Sequence, residues 1–482
     1  MPEPAAPLAL GLDLGTSALK AVLTDARGAI LAQGSAPVAT FSEVPGEAEQ
    51  EPSGWLAAAA QAVAQIAAAL PPGRSWRRQL KVIGLAGQLP TLVVLGPRGA
   101  EGRAITWKDA RADAAAAAVI GTRRQELYRL TGMPLDGRYL APMFRVHGGA
   151  HPQARRILSA KDYLCHALTG AELTDPSTAA GYGLYALDEG RFSAALCALW
   201  GIDPALLPQV APAHSIAAPL SASGAQLLGL PAGIPVTVGA ADSMSGAYAM
   251  APLSPGVVCI AMGSSTIILD AVRERRWDPA GRYLLSPHAA AGWYAREMDL
   301  LATGTGYHWL CRLLRSTPEE LEREASRAAP GAGGVSFMPY LGGGEQGALW
   351  NPALRGALAG LGLGSGRAEI ARAFLEGVAF EIRRCVEVLA ESQTLTEVVL
   401  AGGLAQSAFG LQLLANILGR PVRPYAHVSP AALGAARGAL EALDPGARPG
   451  ECATGPAVPP DGGQSQYDAL YARYLAASAA CA

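Results

Sequence analysis

The sequence predicts two α/β lobes of related topology, and three observations carry that prediction. Residues 8–13 form an apolar run that closes on a carboxylate and enters the turn Gly15-Thr16-Ser17. The same strand–turn–strand device returns at Gly263-Ser264-Ser265. In each half, hairpins are followed by alternating helical and strand-like segments, the pattern of a layered α/β domain. With 482 residues the chain exceeds what one core accommodates, so two domains are expected and three at most. The expected boundary lies near 245–255, giving an N-terminal lobe over 1–248, a C-terminal lobe over 249–445 and a tail with a last helix over 446–482.

The elements follow in order. Apolar runs at 8–13, 18–23 and 29–38, separated by turn residues, read as an antiparallel meander. Residues 53–70 read as a helix opening at Pro52-Ser53, and 81–86 as a buried strand stopping at Gly87-Gln88. Further along, 234–241 is a strand ending at Asp242, and 257–262 and 266–272 flank the repeated turn. Ile370, Phe374, Val378, Ile382, Val386 and Leu389 recur every three or four residues, predicting a long helix with one core-facing stripe. A strand at 397–400 runs into Ala401-Gly402-Gly403. A helix (408–418), a short strand (421–424), a helix (430–442), a Pro/Gly-rich connection (444–464) and a last helix (466–480) complete the chain.

Composition excludes several classes of function. The 38 basic and 40 acidic residues nearly cancel, so no electrostatic footprint for nucleic acid or a membrane surface exists. Seven cysteines, at 165, 197, 259, 311, 385, 452 and 481, are odd in number and widely spaced without a C-x-x-C pair. Neither a zinc site nor a disulfide framework is expected, and reduced thiols in the cytoplasm are. The first ten residues lack a basic region and do not read as a signal peptide. The Ala-rich stretch 55–70 is interrupted by polar residues and reads as a soluble helix.

The motifs narrow the chemistry. No G-x-x-x-x-G-K-[ST] loop, no strand-borne G-x-G-x-x-G and no H-R-D occurs, and the glycines of 360–366 read as a loop entering the long helix. Small-residue turns at strand ends remain. Glycine lets backbone N–H groups approach an anion closely, and Ser or Thr hydroxyls add donors. Gly15, Thr16 and Ser17 on one lobe and Gly263, Ser264 and Ser265 on the other could grip a triphosphate from two sides. Gly402 and Gly403 could let an adenine or ribose lie on the backbone. Asp13, beside the first turn, suits Mg²⁺. Asp242 lies among small residues with room for a substrate. It either orients and deprotonates a hydroxyl or caps the helix starting at Ser243, and spacing leaves both readings open.

These residues resemble the FGGY carbohydrate kinases, and among them the xylulose kinases. The resemblance rests on motifs in series from about residue 8 to 440. They are Leu12 to Ser17; Glu49-Gln50-Glu51-Pro52 with Trp55; Trp107-Lys108-Asp109-Ala110-Arg111; and Lys161-Asp162-Tyr163-Leu164 with Leu168-Thr169-Gly170. Further along come Asp175, Ser177 and Ala180-Gly181; Gly239 to Asp242; Pro339-Tyr340-Leu341 with Glu345 and Arg355-Gly356; and Ala401-Gly402-Gly403. The resemblance implies two actin/hexokinase-type (ribonuclease H-like) lobes flanking a catalytic cleft. It also implies ATP with Mg²⁺, and Asp242 as general base. Gln88, Leu89, Trp107, Asp109 and Ser243 would contact a small sugar or polyol. In that family a homodimer is common.

Three departures bear on the sugar. Gly87-Gln88-Leu89-Pro90 stands where G-Q-M-H is usual, Ser243 replaces an Asn, and Gly344-Glu345-Gln346-Gly347-Ala348 replaces G-E-R-T-P. Proline cannot donate the hydrogen bond of the lost histidine, and losing a polar contact changes which sugar a site accepts. The expectation is ATP-dependent phosphorylation of a sugar hydroxyl, on a ketopentose such as xylulose or a related ketose or polyol. The alternative is a nucleotide-dependent sugar-binding or sensing protein on the same fold without catalysis.

Overall fold

The computed structural model describes residues 7–71, 76–251, 253–427, 429–446, 452 and 454–480. Cys481, most of the N-terminus read above for a leader and part of the 444–464 connection lie outside the described residues.

The first sheet has seven strands. β1 (Leu8–Leu14), β2 (Ala18–Thr24) and β3 (Ile30–Pro37) form the meander. β4 (Leu80–Gly87) lies parallel to β1, followed by β5 (Ile216–Pro219), β6 (Pro235–Thr237) and β7 (Ala240–Ala241). Their spatial order is β5-β6-β4-β1-β2-β3, with β7 paired to β4. The run expected as one strand over 234–241 is broken because Gly239 turns to φ +77°, where a Cβ would lie 2.2 Å from the Leu85 carbonyl oxygen.

The second sheet repeats this plan. β8 (Val257–Met262), β9 (Thr266–Val272), β10 (Leu284–Pro287), β11 (Tyr294–Leu300), β12 (Glu397–Gly402) and β13 (Val422–Pro424) lie in the order β10-β11-β9-β8-β12-β13. Leaving out the edge strands, β3-β2-β1-β4-β6 and β11-β9-β8-β12-β13 superpose strand for strand in order and direction of pairing. The repeated turn read from the sequence is therefore the tip of a repeated hairpin.

Helices cover both sheets. α1 (Pro52–Ala69) packs on β2 and β3, with Pro52 at its first position and no side-chain cap from Ser53. Among the further helices of the N-terminal segment, α2 (Ala160–Thr169), α3 (Pro176–Ala180) and α4 (Asp242–Met250) bear on the site. α5 (Gly304–Leu313), α6 (Arg367–Ala390), α7 (Pro430–Leu443) and α8 (Gln464–Ala480) follow.

Burial on both faces explains why β1 is apolar up to Asp13. Its second cover, α7, comes from the far end of the sequence and crosses back to lie on β1 and β4. The approach is close because the contacting residues are small. A Cβ on Gly11 would lie 1.9 Å from the Ala432 carbonyl oxygen, and one on Gly84 would lie 1.9 Å from that of Ala435. α7 meets α4 in the same way, at Gly434 against Ser245.

The long helix corrects an expectation. α6 is not amphipathic with one apolar stripe, for residues 371–382 are buried without a break. It is enclosed by β9 and β11 on one side and by surrounding helices on the others. Arg372 and Glu376 are tolerated there as an ion pair at 2.7 Å. α8 is part of this core, since Tyr467, Tyr471 and Tyr474 close on Phe380 with ring centroids 6.5, 5.7 and 5.2 Å away.

Candidate active site

The site begins with strand register. Asp13 of β1 pairs with Ala86 of β4, and Ala86 pairs with Ala240 of β7. Three adjacent strands thus end at one level, and the chain leaves β7 directly into Asp242 at the head of α4. Asp242 is the first residue of α4, whose N-cap is Ala241, and it makes no cap bond across the turn; Ser243 N–H donates to its own neighbour's Oδ1 at 2.8 Å.

Burial dominates the electrostatics here. It pushes the Asp242 carboxyl up to about 8, with the nearby Asp13 and Asp299 charges adding to the rise and Lys20 opposing it. Asp13 is raised to about 6 by burial, partly offset by Lys20. Lys20 stands directly across from Asp13 in the β1–β2 pair. Asp13 Oδ1 is buried and has no hydrogen-bond partner. Such an orphan acceptor beside a strand end fits a cation.

The cleft over Asp242 takes walls from both halves. Thr16, Gln88, Leu89, Pro90, Trp107 and Ser243 line it from the N-terminal side, and Ser265, Ile267, Leu284, Ser286, Glu297 and Asp299 from the C-terminal side. The tip residues Thr16 and Ser265 of the two repeated hairpins therefore share one cleft. Gly15 and Ser17 flank the first tip, and Gly263 and Ser264 belong to the second, where Gly263 N–H donates to Ser265 O at 2.8 Å. α5 begins against that second tip, with Thr305 N–H donating to Ser264 O at 3.1 Å.

Gly402 and Gly403 lie one strand further on. Gly402 pairs with Met262, and a Cβ on it would lie 1.9 Å from the Met262 carbonyl oxygen. The space beside Gly403 is open. These glycines adjoin the second turn without lining the cleft above Asp242.

Gln50 ties the first wall together. Its Nε2 donates to the Thr16 carbonyl at 2.7 Å, while its Oε1 accepts from Trp55 Nε1 at 2.9 Å and Gln88 Nε2 at 2.8 Å. Trp107 Nε1 donates to Thr16 Oγ1 at 3.0 Å. Trp107 thus both lines the cleft and fixes the turn.

Asp109 behaves otherwise. Expected at the sugar, it is 1% exposed and does not line the cleft. Its oxygens accept from Ala48 N–H at 2.9 Å and from the Arg111 guanidinium at 2.6 Å. A carboxylate after a short buried strand has found a local cation, which spacing alone cannot foresee.

Several residues were not legible as site residues. Lys20 could have been found by counting outward from the hairpin tip, where 14 pairs with 19 and 13 with 20. Glu297 and Asp299 stand two apart on β11 and so share a face. In a sequence, that alternation looks like a solvent-facing edge. Arg138 also lines the cleft and carries no local signal, while Ser177 and Gln346, read above only as members of motifs, line it too.

Two lobes of duplicated topology, closing an acidic cleft between two small-residue hairpin tips, define a phosphotransferase of the actin/hexokinase type. The N-terminal domain model of the FGGY family of carbohydrate kinases matches residues 8–249 and its C-terminal domain model matches 258–443, so the chain belongs to that family. It is a carbohydrate kinase, and kinases of this family depend on ATP. The chain is 27% identical to a xylulose kinase of Bacillus subtilis over 435 residues, covering 89% of this chain and 86% of the other. It is 29% identical to a glycerol kinase of Gloeobacter violaceus over 447 residues, covering 89% and 86%. The crystal structure of xylulose kinase from Rhodospirillum rubrum is 28% identical, with a TM-score of 0.86 over 98% of each chain. Among the described residues no helix is long and apolar enough to cross a membrane.

Proposed function

We propose that the protein transfers the γ-phosphoryl group of ATP to a hydroxyl of a ketopentose such as xylulose, or of a related ketose or polyol. The observation that carries this reading is Asp242, a half-buried carboxylate heading α4, held above a cleft that receives Thr16 from one half and Ser265 from the other. In this reading Asp242 accepts the hydroxyl proton as the substrate oxygen bonds to the γ-phosphorus. The bond from that phosphorus to the bridging oxygen breaks, and ADP leaves. The hairpin turns at 15–17 and 263–265 supply donors to the phosphates, and Gly402-Gly403 offers backbone to the adenosine.

Asp13 is the residue that would hold Mg²⁺, since its orphaned Oδ1 has no other partner. Among the described residues no cluster of three His, Cys, Asp or Glu side chains forms a cage. That agrees with an ion bound by one or two carboxylates together with phosphates. When bound, the ion neutralises phosphate charge.

The similarity to enzymes named xylulose kinase and glycerol kinase supports a ketose or polyol. Leu89 and Pro90 give the sugar an apolar wall in place of a histidine donor. Free buried thiols at Cys165, Cys197, Cys259, Cys311 and Cys385 favour the cytoplasm. The test is a coupled ADP-release screen across ketoses, aldoses, polyols and sugar acids, run with the wild type and Asp242→Ala. The variant is expected to lose at least about 100-fold in kcat while still binding ATP. Undiminished turnover in Asp242→Ala rejects the assignment.

A further inference from the structure

The wall opposite Asp242 carries two further carboxyl groups. Glu297 and Asp299 project from the same face of β11 into the cleft, beside Ser286 and Leu284 of β10. Glu297 is buried, and Asp299 Oδ1 is buried without a hydrogen-bond partner. With Asp242 they place three carboxylates around the space over the hairpin tips.

Arg138 is the one cation among the described residues lining that cleft; most of its donors are engaged by Asp136 and Gln346, and its charge only partly offsets the burial of Asp299. Its Nε donates to Asp136 Oδ2 at 3.0 Å. With the Gln346 amide turned so that its oxygen faces the guanidinium, that oxygen accepts from Arg138 at 2.7 and 2.9 Å. Gln346 is uncharged, so among the described residues no second cation that could answer an anion lines this cleft.

We propose that Asp299, with Glu297, is a specificity-determining residue that selects uncharged polyhydroxy substrates and excludes sugar acids. A sugar hydroxyl is a donor and satisfies the orphaned Asp299 oxygen. A substrate carboxylate brings only acceptors, and its charge would be confined beside three carboxyl groups in a poorly solvated space. Burial already holds Asp299 up at about 7 and Glu297 far above its usual range, so another anion would force further proton uptake. The proposal rests on the kinase reading above and deepens it. It also means that the substrate is gripped from both halves of the protein: Asp242 and Gln88 from one, Asp299 from the other.

The experiment compares substrates matched except for the acid: xylitol with D-xylonate, and D-fructose with D-fructuronate, alongside D-xylulose. Phosphorylation is followed by ADP release at saturating ATP in the full-length protein. For the wild type, kcat/KM for each acid is expected at least about 100-fold below that of its neutral partner. In Asp299→Asn, KM for the neutral substrate should rise about tenfold, KM for ATP should stay unchanged, and the neutral-to-acid ratio should narrow about tenfold. Glu297→Gln should narrow the ratio in the same direction, and the wild-type comparison stands even if either variant folds poorly. An acid used as well as its neutral partner by the wild type overturns the proposal while leaving the kinase reading intact. So does an unchanged sugar KM and ratio in a folded Asp299→Asn. ADP release with none of these compounds, nor with any other sugar, overturns the kinase reading and this proposal with it.

Discussion

The backbone N–H of Ala241 donates to Ser177 Oγ at 3.0 Å, one residue before Asp242. Ser177 in turn donates to Asp175, and Asp175 Oδ1 lies 3.3 Å from Lys161 Nζ. Lys161 also donates to the Val238 carbonyl at 2.9 Å. The segment from Val238 to Ala241 is therefore clamped at both ends by one buried polar chain, and Asp242 is aimed by it. This gives physical content to the Lys161-Asp162 and Asp175-x-Ser177 motifs, whose members hold the segment that leads into Asp242.

Removing the clamp nearest the carboxylate should show up in catalysis. Ser177→Ala leaves the Ala241 N–H without its partner and lets the head of α4 shift. Misplacement of a reacting group by a fraction of an ångström is costly, so kcat should fall about tenfold with KM for ATP unchanged. Steady-state kinetics with ATP and sugar varied separately would check this. Equal loss in both KM values with kcat preserved would contradict the positioning role.

Lys161 tests the same chain through stability. It is 0% exposed and lies 2.8 Å from Asp162 as well as near Asp175. Lys161→Met removes the shared cation and leaves two buried carboxylates facing each other. Breaking a buried pair from one side costs about 3–5 kcal/mol, and urea unfolding should register a loss of that order.

The crossing of α7 over the first sheet predicts a packing defect. Gly84→Ala would put a methyl group 1.9 Å from the Ala435 carbonyl oxygen, so α7 must lift away from β4. Overpacking of this kind costs about 1–3 kcal/mol. Because α7 also packs on α4, which begins at Asp242, thermal stability and kcat should both drop. Gly403→Ala, beside open space, serves as the contrasting variant and should leave stability nearly unchanged.

The two hairpins were legible because turn chemistry and strand period are local, and 257–262 and 266–272 coincide with β8 and β9. Asp13 and Asp242 stood out because a carboxylate ending an apolar strand is conspicuous. The glycines at 11 and 84 give no reason in one dimension to expect a helix from residues 430–443 upon them. Arg138, Asp299 and Glu297 enter the site through tertiary approach alone, and Ser177 was legible as a motif member but not as the acceptor for Ala241 N–H. Asp109 shows the converse, a conspicuous carboxylate whose partners, Ala48 and Arg111, take it away from the cleft. The α6 stripe misled because periodic apolar residues reveal one buried face and say nothing of small or paired residues buried on the others.

The acid cluster finally predicts how stability depends on pH. In the ligand-free protein Asp13 is held up at about 6, Asp299 at about 7, and Asp242 and Glu345 at about 8, each chiefly by burial. Unfolded carboxyls titrate near 4, so over the range between, the native state holds protons that the unfolded chain has released. Stability must then fall as pH rises, and the loss is complete only above the highest folded value. Below about pH 6.5 buried His288, depressed to about 3, works in the opposite sense, because the unfolded chain takes up a proton that the native state refuses. The window that isolates the carboxylates is therefore pH 6.5 to 8.5, roughly from the histidine reference value to just above the cluster. Across it the melting temperature of the ligand-free protein should decline by several degrees. Asp299→Asn removes one buried charge and lowers the repulsion on Asp242, so it should flatten the decline and melt higher than wild type at pH 8. A flat wild-type profile, or a variant that melts lower throughout, would show that these carboxyls are solvated and ionised in the free cleft.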